Sequence, residues 1–99
     1  MICFFDTTVL AAASSRAHPH YDRAFPALRR VVSGRDKGFM SVPSIAEMYT
    51  SLSRMPVEPR IHPSEAARII TENLLPHFET VPIVKKDYVE ALGLSLIHI

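Results

Sequence analysis

The sequence has few of the residues that mark disulfide-rich, thiolate-metal or strongly charged proteins. Cys3 is the single cysteine among 99 residues, tryptophan is absent, and glycine occurs three times. One cysteine excludes a disulfide within the chain and a zinc site built on several thiolates. Eleven Lys and Arg residues nearly balance ten Asp and Glu residues, for a net charge of +1. The composition therefore carries no general signature of nucleic-acid binding.

Long apolar runs are also missing. Residues 1–5 are apolar, but Asp6 interrupts them well before the length that spans a bilayer. No basic residue precedes this run, as one would in a secretory signal peptide. We therefore expect a cytoplasmic protein with no membrane partner, folded as one small domain.

Along the chain, patterns typical of strands alternate with patterns typical of helices. The continuous apolar run 2–5 predicts a buried parallel strand. Residues 38–42 predict a second strand, and 80–83 a third at the sheet edge, where Pro82 is tolerated. Helices are predicted over 9–13, 21–32, 45–54, 63–75 and 85–92. This order predicts an α/β fold with a three-stranded parallel sheet and helices on both faces.

Two acids stand where such a sheet would bind a ligand. Asp6 follows the first predicted strand, and Glu47 lies in the predicted first turn of the helix after the second. Open parallel sheets bind ligands at the carboxyl ends of their strands. Two carboxylates there suit Mg²⁺ or Mn²⁺. One hydrated ion held by both acids requires carboxylates within about 8 Å of each other.

Each acid also has a purely structural interpretation. Asp6 is a good N-cap for a helix that begins at Thr7. Ser44 is predicted to cap the helix that starts at residue 45, and Glu47, three residues later, completes a capping-box pattern. Capping and metal ligation are compatible, so both alternatives stay open.

Three segments together resemble a known family. These are residues 5–10 (FDTTVL), 41–49 (SVPSIAEMY) and 79–83 (ETVPI). In order and spacing they are similar to the PIN domain, above all to the VapC-type toxin ribonucleases of bacterial toxin–antitoxin pairs. The resemblance runs from residue 2 to about residue 93. It implies a PIN-like α/β fold and endonucleolytic RNA cleavage that depends on Mg²⁺ or Mn²⁺.

The resemblance also implies roles for individual residues. Asp6 and Glu47 match the first two acids of the family and would be both metal ligands and catalytic residues. Thr8 stands where the family usually has Asn or Ser, and it would support the site together with Ser44. The implied partners are an RNA substrate, an antitoxin peptide and a second copy of the chain in a homodimer.

The resemblance ends near the C-terminus. The family's third and fourth acids follow the last predicted helix, and Asp87 and Glu90 do not match them. We therefore expect a partial PIN domain over residues 1–93 that cleaves RNA weakly or not at all, followed by a tail over 94–99 unlike the family. The apolar tail is a candidate to pair with strand 2–5, within the chain or between two chains.

Two other function classes remain open. One is a non-catalytic PIN-like binding module that pairs with an antitoxin or with itself. The other is a phosphotransfer domain, which is disfavoured because its signature needs a second Asp two residues after Asp6, where Thr8 stands.

Overall fold

The computed structural model describes residues 1–82 and the backbone of residues 95–97. Four strands form one sheet: β1 (Ile2–Phe5), β2 (Lys37–Ser41), β3 (Phe78–Val81) and β4 (Ser95–Ile97). Their order is β3-β2-β1-β4, and every neighbouring pair is parallel. The predicted α/β fold with a parallel sheet is therefore confirmed. The predicted helix over 85–92 lies outside the described residues.

The fourth strand comes from the tail. Phe4 of β1 pairs with Leu96 of β4, and Phe5 pairs with Ile97. The tail thus pairs with β1 of the same chain, which is one of the two predicted arrangements. The sheet has four strands in the described residues instead of the expected three. With β2 on one side and β4 on the other, β1 is an inner strand, which explains its continuous apolar sequence.

Helices connect the first three strands. They are α1 (Thr7–Ala13), α2 (Tyr21–Val32), α3 (Val42–Arg54) and α4 (Pro63–Arg68), and α4 continues into a π-helical turn (Ile69–Leu74) and a 3₁₀ turn (Leu75–His77). Helix α2 covers the residues whose spacing in the sequence is helical, Tyr21–Val32, and Gly34 follows it with a φ of 82°. Among the described residues, no helix is long and apolar enough to cross a bilayer.

Several element boundaries differ from the predictions. Helix α1 begins at Thr7 rather than at residue 9, and β2 spans Lys37–Ser41 rather than 38–42. Helix α3 begins at Val42 rather than at residue 45, with Ser41 as its N-cap. Pro43 explains the difference, because a proline without an N–H is accommodated in the first helical turn. Strand β3 begins at Phe78, two residues before the predicted start, because the 3₁₀ turn ends at His77 and the Phe78 side chain enters the core.

Gly38 allows the core to close over the sheet. Phe78 pairs with Gly38 on β2, and its ring meets the ring of Phe5 edge to face at 5.2 Å between centroids. A Cβ atom at Gly38 would lie 2.8 Å from Phe78 Cε2 and 2.8 Å from Val31 Cγ1. The missing side chain therefore lets Phe78 and helix α2 approach the strand together.

An ion pair holds the chain together at the end of the sheet where β1 and β2 begin. Asp36 is only 7% exposed, and its Oδ2 accepts a hydrogen bond of 2.8 Å from Arg30 Nε. The amino group of Met1 donates to Oδ1 at 3.0 Å. The bond from Arg30, followed by that from Met1, lowers the pKa of Asp36 to about 2. This carboxylate thus joins the end of α2 to the starts of both strands.

The glycine position gives a first prediction. Gly38→Ala should lower the free energy of unfolding by about 1–3 kcal/mol, the usual cost of overpacking a core. Val31→Ala in the same chain should recover part of that loss, because it removes one of the clashing atoms. Chemical denaturation measures both effects, and exposed Ser33→Ala serves as the control. A Gly38→Ala variant as stable as the parent would contradict the packing described here.

The Asp36 ion pair gives a second prediction. Since its pKa is lowered on folding, Asp36 stabilises the protein fully above its unfolded pKa of about 4, and that stabilisation is lost as the pH falls toward about 2. Asp36→Asn should therefore be less stable at neutral pH, and the two proteins should converge in acid. Melting temperatures from about pH 7 to pH 2 measure this. If the melting temperatures of the two proteins changed in parallel with pH, the stabilising role of the Asp36 carboxylate would be ruled out. Glu72→Gln is the control for loss of an exposed carboxylate.

Candidate metal site

The carboxyl ends of β1 and β2 bring the starts of two helices together. Asp6 follows β1 directly and caps α1, whereas Ser41 ends β2 and caps α3. Because β1 and β2 are parallel neighbours, both helices begin at the same edge of the sheet, and they pack against each other. This edge is where ligands bind in open α/β sheets.

Asp6 is the N-cap of α1, which is the structural role that the sequence offered for it. Its Oδ1 accepts a hydrogen bond of 3.0 Å from the backbone N–H of Val9, and its backbone is extended, as expected for an N-cap. The side chain is half-buried. A carboxylate has two oxygens with about four acceptor positions, so this cap bond is compatible with metal ligation. The bond also restrains the direction in which the carboxylate points.

Glu47 lies further along its helix than the sequence predicted. Because α3 begins at Val42, Glu47 is in its second turn, and the expected capping box with Ser44 as the cap is wrong. Ser41 Oγ instead accepts the N–H of Ser44 at 3.3 Å. Glu47 is exposed and stands three residues after Ser44, a spacing that puts both on one side of the helix.

Ser44 joins the two helices. It is 4% exposed, accepts a hydrogen bond of 3.0 Å from Thr7 Oγ1, and lies 2.9 Å from Ser41 through their hydroxyl oxygens. The sequence pointed to Ser44 and Thr8 as supporting residues. Thr8 is exposed, and Thr7 makes the bond to Ser44.

Thr7 and Ser41 were missed as contributors to this edge. Pro43 was the available signal for Ser41, because a proline in the first turn requires the cap to precede it. No comparable signal distinguished Thr7 from Thr8, since the choice depends on where α1 meets α3.

The donor set suits a hard cation but is small. Carboxylate and hydroxyl oxygens match the preference of Mg²⁺ and Mn²⁺. Within residues 1–82, no three His, Cys, Asp or Glu side chains are grouped to hold a metal ion. Mg²⁺ binds through one or two carboxylates and keeps several waters, so Asp6 and Glu47 fit the chemistry of such an ion.

Two basic residues, one in the last turn of α2 and one at the start of β2, form ion pairs at the other end of the sheet. Lys37 is the first residue of β2, and its Nζ lies 3.2 Å from Glu79 Oε1. Arg30 is paired with Asp36. Both basic side chains are therefore engaged in ion pairs within the chain.

One of three comparisons with known proteins identifies a family. A scan against protein-family models matches the PIN domain over residues 3–98. Searches of curated proteins and of solved structures return no match. The matched residues include Asp6, Glu47 and all or part of each of the four strands. Since the match spans nearly the whole sequence, the chain belongs to the PIN domain family.

Proposed function

We propose that this protein is a metal-dependent ribonuclease of the VapC toxin type that cleaves RNA endonucleolytically in the cytoplasm. Asp6 and Glu47 are its proposed catalytic residues and hold Mg²⁺ or Mn²⁺. The observation that carries the proposal is the junction of α1 and α3 at the carboxyl edge of the sheet, in a chain of the PIN family. That junction brings a helix-capping carboxylate and an exposed glutamate to neighbouring helices.

The two acids contribute differently to this chemistry. A bound divalent ion lowers the pKa of a water molecule and shields the phosphate charge. Asp6 is restrained by its bond to Val9, so it presents a nearly fixed ligand. Glu47 is exposed on α3 and is accessible to solvent and to a large substrate. Ser44 ties the two helices together beside the acids.

The proposed protein partners are an antitoxin peptide and a second copy of the chain. A cleft of about 400 Å³ lies between α2 and the π-helical turn, and it is mainly apolar. Tyr21 and Phe25 stack on its α2 side at 5.0 Å between ring centroids, with Arg16 and Arg29 beside them, and Glu72 lines the side of the π-helical turn. An amphipathic helix with acidic flanks fits such a groove, so we assign the cleft to the antitoxin.

A second candidate function is a PIN-like binding module without catalysis. The observation that favours it is the small donor set, since no three His, Cys, Asp or Glu side chains within residues 1–82 are grouped to hold a metal ion. Such a module would keep the apolar cleft and its partner but would not cleave RNA.

Metal binding tests the site directly. The chain should bind Mn²⁺, measured by titration calorimetry or by the loss of the free-ion electron paramagnetic signal. Asp6→Asn and Glu47→Gln should each weaken binding by at least about tenfold, the loss caused by removing even a supporting partner of a metal ligand. Glu65→Gln removes an exposed acid from the start of α4 and should bind as the parent does. Equal affinity in all four proteins would exclude this site.

RNA cleavage separates the two candidate functions. A slow cleavage of single-stranded RNA is expected, dependent on Mg²⁺ or Mn²⁺ and stopped by a chelator. Asp6→Asn should reduce the rate about 100-fold or more, because a bound ion supplies several kcal/mol of charge stabilisation. Metal binding without any cleavage would instead support the binding module.

A further inference from the structure

The hydroxyls of Thr7, Ser44 and Ser41 form a short chain between the helices that carry the two acids. Thr7 Oγ1 donates to Ser44 Oγ at 3.0 Å, and Ser44 Oγ lies 2.9 Å from Ser41 Oγ. We propose that these three residues are a hydroxyl latch that fixes the spacing of α1 and α3 and thereby sets the metal affinity of Asp6 and Glu47. The inference rests on the metal site proposed above. The three are positioning residues and not ligands.

The latch is close to both acids along the chain. Thr7 is the next residue after Asp6, and Glu47 follows Ser44 by three residues. Three residues of α-helix advance about 4.5 Å along the axis and return to nearly the same side. Any sliding of α1 against α3 therefore changes the separation of the acids, and the bond between Thr7 and Ser44 opposes that sliding.

Burial makes the bond between Thr7 and Ser44 difficult to replace. Ser44 is 4% exposed, so little water can reach its hydroxyl if the partner is removed. Without the Thr7 hydroxyl, Ser44 keeps its contact with Ser41, but the bond from Thr7 is lost and is not exchanged for one from water. The directions of the hydrogen bonds are consistent along the chain of hydroxyls, because Thr7 donates to Ser44 and Ser44 can donate to Ser41.

The latch shares an atom with the cap of α3. Ser41 Oγ accepts the backbone N–H of Ser44 as well as lying within hydrogen-bond distance of its hydroxyl. The position of the first turn of α3 is therefore coupled to the position of Thr7. A site for Mg²⁺ demands nearly ideal octahedral geometry, so a small loss of this coupling should weaken metal binding.

A double-mutant cycle tests the latch without any metal. Thr7→Val keeps the shape of the side chain and removes the hydroxyl, and Ser44→Ala removes the partner. The losses in unfolding midpoint of the two single variants should be non-additive, with the double variant little worse than Ser44→Ala. Additive losses would overturn the latch. Thr71→Val is the control, because that hydroxyl is exposed and donates to the carbonyl of Ala67 in its own helical segment.

Mn²⁺ affinity then tests whether the latch positions the acids. Thr7→Val should weaken Mn²⁺ binding about 10–100-fold, Thr7→Ser should restore it, and Thr71→Val should leave it unchanged. Non-additive stability with unchanged Mn²⁺ affinity in Thr7→Val would overturn the positioning role. A parent chain that binds no Mn²⁺ would overturn the proposed ribonuclease site, while the metal-free cycle would still decide whether the latch exists.

Discussion

The parallel pairing of β1 with β2 is the constraint on which the candidate site depends. Because the two strands run in the same direction, the helices that follow them start at one edge of the sheet. Asp6 is carried there as the cap of α1, and Ser41 as the cap of α3. An antiparallel partner would place the second helix start at the opposite edge. The strand pairing thus brings together Asp6 and Ser41, which are 35 positions apart in the sequence.

The two edges of the sheet are held by different interactions. At the edge where the strands begin, Asp36 is paired with Arg30 and the Met1 amino group, and its pKa is lowered. At the edge where they end, neutral hydroxyls of Thr7 and Ser44 make the connection. Acid weakens the first interaction and not the second. A lysine or arginine at the second edge would pair with the acids of the proposed metal site and oppose binding of a cation, whereas hydroxyls hold the helices without adding charge.

Much of the fold could be predicted from the sequence, because its signals are local. The apolar run of β1, the helical spacing of α2 and Gly34 after α2 all follow from short-range patterns, and the structure confirms them. The start of β3 was wrong by two residues, because the burial of Phe78 over Gly38 depends on a contact between distant segments. Pairing of the tail with β1 was foreseen as one of two arrangements, since an apolar inner strand needs two neighbours.

The site was less predictable than the fold. The position of Asp6 after β1 followed from the strand pattern, and its capping role was one of the stated alternatives. Assigning the cap of α3 to Ser44 was wrong, since the cap is Ser41 and Ser44 is buried against Thr7. The local sequence does not predict which hydroxyl contacts a neighbouring helix, because that contact depends on how the helices pack.

The most direct test of the account is a crystal structure of the protein grown with Mn²⁺, with data collected at the manganese absorption edge. We expect one anomalous peak at the carboxyl edge of β1 and β2, from an ion bound by Asp6 and Glu47 with their carboxylates within about 8 Å of each other. A structure in which Glu47 points away from Asp6, with no manganese between them, would contradict it.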